Sequence, residues 1–327
     1  MSIKLLYGEE IYLLETKLKK IKKDFGELVK GINYIQIDDT GVQELIDDIE
    51  TPAFGYEKKL IIARNTGLFK KEKKTAKGQD AILNKLIDKI STYIDENNKM
   101  IDEAVELIFV EEEVEKNSLY KAIEKNGEIL SFPLLKLPEL IQNIQKICAM
   151  YKVKIDNSVA KYFIEICGTN MQELINEIRK LIEYVGENGI ITVKDIDLLS
   201  IKQIDTVIFD LTDNLGKKDT KKAMDVLNDL IYQKEPIQKI LITLYNHFKK
   251  LYIVKIAEEH RKDLATSMKL KPNQLFLTSK YKMQANYFKK EEIEKIMDEF
   301  INLDANYKVG LIDINIGLES VLCRYCS

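Results

Sequence analysis

The hydrophobic pattern of this chain changes character once, near residue 135, and that change limits what it can fold into. Before it, five short apolar runs recur: Ile3–Tyr7, Tyr34–Ile37, Lys59–Ala63, Glu106–Val110 and Ile129–Phe132. Short, near-continuous runs rich in Ile, Leu and Val fit strands buried on both faces of a sheet. Between them lie segments with helical spacing. Val42, Leu45, Ile46 and Ile49 share one face, and Ile82, Leu83, Leu86, Ile87, Ile90 and Ile94 share another. Strand and helix in alternation predict an α/β domain with a doubly wound, mainly parallel sheet.

Pro133 and Pro138 bracket a connector, and beyond it the strand signal stops. Leu140, Ile141, Ile144, Ile147 and Cys148 mark a helix. Asp156 caps a second, which buries Val159, Phe163 and Ile166 and stops at Gly168. Asn170 and Glu173 open a third in the manner of a capping box, with Leu174, Ile178, Leu181, Ile182 and Val185 inward. Ile190 to Val193 then leads into a short helix, giving three or four helices in about 70 residues. Asp219 or Thr220 caps the next, whose inner face is Ala223, Val226, Leu227, Leu230 and Ile231. Pro236 suits the first turn of a long helix reaching toward His260. Pro272 opens a further segment, and a last helix pair runs from about Glu291 to the end.

Composition narrows the function classes. The 327 residues suit two or three domains. A net charge of −3 gives no global pull toward nucleic acid. Locally, Lys70, Lys71, Lys73, Lys74 and Lys77 form a basic run, expected as a solvated loop because Phe69 is its only stacking aromatic. Arg64, Arg179, Arg261 and Arg324 are the only arginines, so bidentate guanidinium recognition has few candidates. No apolar stretch approaches the roughly 18 residues of a membrane span. The N-terminus lacks a signal-peptide pattern, and a cytoplasmic location is expected. Four cysteines are too few for a disulfide scaffold. Cys148 and Cys167 fall on apolar helix faces. Cys323 and Cys326 form a C-x-x-C without the further ligands a metal would want, and His247 and His260 have no partners at metal spacing. No catalytic arrangement stands out.

The stretch Tyr7-Gly8-Glu9-Glu10-Ile11-Tyr12-Leu13-Leu14 joins the first strand to the first helix. A phosphate loop placed there needs a second glycine, then lysine and serine or threonine. The spacing from Gly8 instead delivers Leu13, Leu14 and Glu15, and Glu9 and Glu10 would repel phosphate. Leu107 to Glu113 has the form of a strand ending in magnesium-binding acids. Without a phosphate loop it reads as a buried strand with a solvated acidic end. The chain is organised like a nucleotide motor domain without the motor chemistry, which points to partner binding.

The second half carries a more specific likeness. Asn170-Met171-Gln172-Glu173-Leu174-Ile175-Asn176-Glu177-Ile178-Arg179-Lys180-Leu181 resembles the lid signature of the bacterial DNA polymerase III delta subunit, a clamp-loader family of the AAA+ type. Ile191-Thr192-Val193-Lys194-Asp195-Ile196 is similar too. So are Phe209-Asp210-Leu211, Ala223 to Leu230, Pro236 to Leu251, Lys308-Val309-Gly310 and the N-terminal Leu6-Tyr7-Gly8-Glu9-Glu10. The resemblance spans nearly the whole chain through the order of its motifs. It implies an AAA+-like α/β domain over residues 1–138, a helical lid over 139–208 and a helical collar over 209–327.

The resemblance also implies a function: a non-catalytic subunit that holds the ring-shaped sliding clamp, the beta subunit, and springs one interface open for loading onto primed DNA. Gamma/tau and delta-prime subunits would be its other partners, ATP hydrolysis would belong to them, and no cofactor or metal of its own is implied. The family's clamp contact precedes a central strand, which points here to Pro52, Ala53, Phe54, Gly55 and Tyr56. Pro52 ends a helix and Gly55 frees the backbone, so Phe54 can project as an interface anchor. The residues alone allow the opposite reading, a core phenylalanine under the sheet. Ala53 departs from the family, which sets a large apolar residue there, and Tyr56 could share the anchoring. Two rivals are a divergent AAA+ ATPase and a delta-prime-like stator. The stator would carry a serine–arginine–cysteine finger motif that is absent here. Arg64 and Arg179 are the alternatives for a finger acting in trans, with a solvated or structural role expected for each.

Overall fold

The structure is a computed structural model that describes residues 2–70 and 79–326. Residues 71–78, which include most of the lysine run, and the side chain of Cys326 lie outside what is described. The chain divides into two compact units, Met1–Leu134 and Leu135–Ser327.

The first unit is built on five parallel strands: β1 (Ile3–Tyr7), β2 (Tyr34–Ile37), β3 (Lys59–Arg64), β4 (Val105–Glu111) and β5 (Glu128–Ser131), in the order β2-β3-β4-β1-β5. Successive side chains alternate between faces, and both faces are covered. Ile3, Leu5, Ile61, Ala63, Leu107 and Phe109 point one way. They pack with α2 (Leu45–Glu50), α3 (Gln79–Ala104) and α4 (Ser118–Asn126) through Leu45, Ile49, Ile87, Ile90, Ile94, Leu119 and Ile123. Leu6, Leu60, Ile62, Ile108 and Val110 point the other way, onto Leu14, Leu18 and Ile21 of α1 (Ile11–Phe25). This is the doubly wound sheet that the apolar runs predict. Burial deepens along α3, from exposed Ile82 through half-buried Leu83 and Leu86 to buried Ile87. Ile82 therefore does not share the buried face its spacing suggests.

The second unit is almost wholly helical. Four helices come first: α5 (Leu137–Met150), α6 (Asn157–Cys167), α7 (Met171–Val185) and α8 (Val193–Leu199). The Asn170 side chain accepts the Glu173 N–H at 3.1 Å, the cap that starts α7. Strand structure does not stop at residue 135 as expected. β6 (Lys154–Ile155) and β7 (Ile190–Ile191) pair in parallel. Two-residue strands are too short to show a period of two, so the hydrophobic pattern carries no trace of them.

Seven helices follow: α9 (Ile204–Gly216), α10 (Thr220–Tyr232), α11 (Ile237–Glu259), the short α12 (Leu264–Ser267), α13 (Thr278–Ala285), α14 (Lys290–Lys308) and α15 (Ile314–Cys326). Their core centres on α11. Phe248 meets Phe288 and Phe300 edge-on at 5.5 and 5.8 Å. One polar network is buried among these helices. Gln284 of α13 donates its amide hydrogens to the Phe209 carbonyl at 2.8 Å and to Asp213 at 2.6 Å, both on α9. Its oxygen therefore faces His247 Nε2, 2.7 Å away, and accepts that ring's hydrogen. Phe209 stacks edge-on against the imidazole at 4.6 Å. Burial holds His247 neutral, pulling its pKa down to about 3. The Phe209-Asp210-Leu211 motif thus contributes to a junction of three helices.

Candidate functional site

The sequence singles out two places in the first unit: the turn after β1 and the segment Pro52 to Tyr56. In the first, the turn closes on its own chain. The Gly8 N–H donates to the Glu111 carbonyl at 3.2 Å and the Glu10 N–H to the Phe132 carbonyl at 2.9 Å. A phosphate loop works by aiming such N–H groups at its ligand. Here they tie the ends of β4 and β5 to β1. Gly8 sits at φ +137, and a Cβ there would fall 2.2 Å from the Phe132 oxygen, so only glycine permits this closure.

The acidic end of β4 is not uniformly solvated as the sequence suggests. Glu112 and Glu113 are exposed, but Glu111 is buried. Its Oε1 accepts the Thr66 N–H at 2.9 Å and the Thr66 hydroxyl at 2.7 Å. Burial raises its pKa, and the two bonds from Thr66 oppose the rise. The acid braces the turn after β3. Sequence reasoning missed this role, and the only available hint was a threonine after the neighbouring strand.

The segment before β3 is different in kind. Helix α2 stops at Glu50, and a four-residue turn follows, closed by the Tyr56 N–H to the Ala53 carbonyl at 3.1 Å. Gly55 occupies its third position with φ +82, as a type II turn requires. Phe54 stands at the second position and is 90% exposed. Pro52 and Gly55 are exposed beside it, while Ala53 and Tyr56 are half-buried. Phe54 is therefore not a core residue under the sheet. Held in a hydrogen-bonded turn, its ring lies in solvent and contributes nothing to the core.

Below the turn, Lys59 is 2% exposed, and its ammonium donates to the carbonyls of Asp48, at 2.7 Å, and Thr51. Sequence reading gives Lys59 only as the start of a strand and misses this arrangement.

The remaining candidates resolve into structural roles or surface. Arg64 pairs with Glu15 of α1 at 2.6 Å, and Arg179 is exposed on α7. Cys148 and Cys167 are buried, with thiols pushed up to about 11 and about 12 by burial. Cys323 is exposed, and its sulfur lies 3.9 Å from that of Met224. In the helical unit a cavity of about 330 Å³ opens beside α6, α9 and α13. Its wall mixes Glu165, Asp205 and Asp210 with Lys202, Lys250 and Lys280, and Lys280 pairs with Glu165 at 2.7 Å, so it favours ligands of neither sign. Among the described residues, no group of three or more acidic, histidine or cysteine side chains is placed to hold a metal ion. Nor is any helix among them long and apolar enough to cross a membrane.

The family model of the DNA polymerase III delta subunit matches residues 5–132, and a second model, of the C-terminal domain of that subunit, matches residues 205–325. DNA polymerase III subunit delta of Bacillus subtilis is 24% identical over 330 residues, covering 98% of this chain and 91% of that protein. A probable DNA polymerase III subunit delta of Aquifex aeolicus is 28% identical over 322 residues, covering 94% and 86%. The solved structure of the Bacillus subtilis DNA clamp loader delta protein superposes with a TM-score of 0.76 at 22% identity, over all of this chain and 95% of that one, so the two share a fold.

Proposed function

This chain belongs to the delta-subunit family of DNA polymerase III, and from that premise we propose that it binds the sliding clamp through the turn bearing Phe54 and opens the clamp ring for loading onto primed DNA. The observation that carries the proposal is the 90% exposure of Phe54 at the second position of a glycine-dependent turn. Moving such a side chain from water into an apolar pocket is worth about 1.5–3 kcal/mol, enough to anchor an interface. Pro52, Ala53, Gly55 and Tyr56 form the rest of the contact. The small Ala53 is half-buried, and the equally half-buried Tyr56 supplies apolar surface on the other side of the turn.

Opening a ring requires no bond chemistry. A subunit that binds the open clamp more tightly than the closed one shifts the equilibrium by that difference in affinity. The first unit suits this role because its turn after β1 spends the Gly8 and Glu10 N–H groups on Glu111 and Phe132. Gamma/tau and delta-prime subunits complete the working assembly and supply the ATP-driven steps, with primed DNA as its target. On this reading residues 1–138 form the clamp-engaging domain, 139–208 a lid and 209–327 a collar for assembly, and the protein works in the cytoplasm.

The test is surface plasmon resonance of the full chain over immobilised clamp from the same organism. Wild type should bind, and Phe54→Ala should bind at least tenfold more weakly, a loss of about 1.4 kcal/mol or more, with an unchanged circular dichroism spectrum. The opening step is read separately, as faster release of clamps from nicked circular DNA when the wild-type chain is added. A wild-type chain that leaves the clamp untouched would remove the proposal. Equal binding by the variant would move the anchor away from Phe54.

A further inference from the structure

A buried lysine must find partners for its N–H donors, since an unpaired charge away from water is strongly disfavoured. Lys59, the first residue of β3, finds them at the end of α2. In a continuing helix the Asp48 carbonyl would accept the N–H of residue 52. Residue 52 is proline and has no N–H. The Lys59 ammonium supplies the missing donor, at 2.7 Å. It also holds the Thr51 carbonyl, the last one before the Pro52–Tyr56 segment. One residue earlier, the Asp47 carbonyl is closed by Thr51 itself, through its N–H at 2.9 Å and its hydroxyl at 2.7 Å. Every tie made by Lys59 is anchored in the sheet, because Lys59 is in register with Val105 of β4. Burial disfavours its charge and the Asp48 carboxylate partly restores it.

We infer that Lys59 is the positioning residue of the Phe54 turn: from β3 it fixes the Asp48 and Thr51 carbonyls, so that the chain leaves α2 in one direction with Phe54 already presented. The inference rests on the reading of Phe54 as the clamp anchor. A turn ordered before binding does not have to be ordered during it, and affinity gains accordingly.

The test uses four full-length chains: wild type, Lys59→Met, Phe54→Ala and the double variant. Methionine keeps an unbranched stem and removes the donors. In the free protein, hydrogen exchange of the 51–58 segment should accelerate at least tenfold in Lys59→Met, while β4 and α1 keep their wild-type protection. Clamp affinity should fall about tenfold in Lys59→Met, with little further loss when the same change is made in the Phe54→Ala background. A general loss of stability would move neither the local exchange pattern nor this coupling.

Exchange unchanged in the segment, or raised equally across the unit, would overturn the inference. So would the same affinity loss in both backgrounds. Failure of the wild type to bind would sink the clamp reading alone, and the exchange measurement would still decide whether Lys59 holds the turn. If Lys59→Met does not fold, Lys59→Gln, whose amide stops short of the ammonium position, is measured by the same criteria.

Discussion

The buried His247 makes the stability of the helical unit depend on pH in a way that can be worked out in advance. In the fold the ring is neutral, with its pKa pulled down to about 3, against 6.5 in the unfolded chain. Its neighbours explain this: Phe209 and Tyr281 against its faces, the Lys250 charge nearby, and Gln284, whose oxygen takes its single hydrogen while its amide is tied to Asp213. A group with a depressed folded pKa binds fewer protons when native than when unfolded. Its contribution is therefore complete above pH 6.5 and is lost as pH falls from there toward 3. The slope approaches about 1.4 kcal/mol per pH unit, so lowering pH from 7.5 to 5 costs about 2 kcal/mol from this residue alone.

His247→Phe isolates that contribution. The variant keeps an aromatic ring against Phe209 but leaves the Gln284 oxygen without its donor, a loss of about 1–3 kcal/mol at pH 7.5. Because the variant cannot titrate at this position, the gap between the two chains should narrow by about 2 kcal/mol at pH 5. Hydrogen exchange of α11 peptides across a urea series reports the opening free energy of this unit, and the comparison cancels every other titrating group. A gap that stays the same at both pH values would refute the reasoning, as would a His247 ring proton that titrates near 6.5 by NMR.

Two further perturbations probe the first unit. Glu111 has a raised pKa, so its ionisation works against folding, and stability from this group declines as pH rises above 4.5. Glu111→Gln can still accept both Thr66 bonds; it should be at least as stable as wild type at pH 7.5 and show a flatter pH–stability profile above 4.5 by urea denaturation. Gly8→Ala forces a Cβ against the Phe132 carbonyl at a strained φ and should lower stability by about 2 kcal/mol or more in the same assay. A variant as stable as wild type would mean that the β5 exit yields easily.

The strands of the first unit were legible because each is a short Ile/Leu/Val run between segments of helical period, and all five appear within a residue of their expected bounds. The long helix α11 was legible through Pro236 and the helical spacing of Ile240, Leu241, Leu244, Phe248 and Leu251. The pair β6 and β7 was not, since two residues carry no periodicity. Polar residues with long-range partners were also opaque. Glu111 sits in an exposed-looking Glu-Glu-Glu run, yet Thr66 draws it inward. Lys59 reads only as the first residue of a strand, because nothing local states that a helix eleven residues earlier ends on an unsatisfied carbonyl. Phe54 was ambiguous from its own neighbours, and only the family resemblance pointed outward. Its exposure rules out the core alternative.

The tie between Pro52 and Lys59 has a consequence for inheritance. Proline at 52 creates an acceptor with no local donor, and the amine at 59 meets that need from another element. Losing Lys59 alone leaves the Asp48 carbonyl without its donor. Losing both, with an N–H restored at 52, does not. Relatives of this chain that lack the amine at 59 should therefore mostly lack the proline at 52 as well, a dependence that an alignment of such relatives should record.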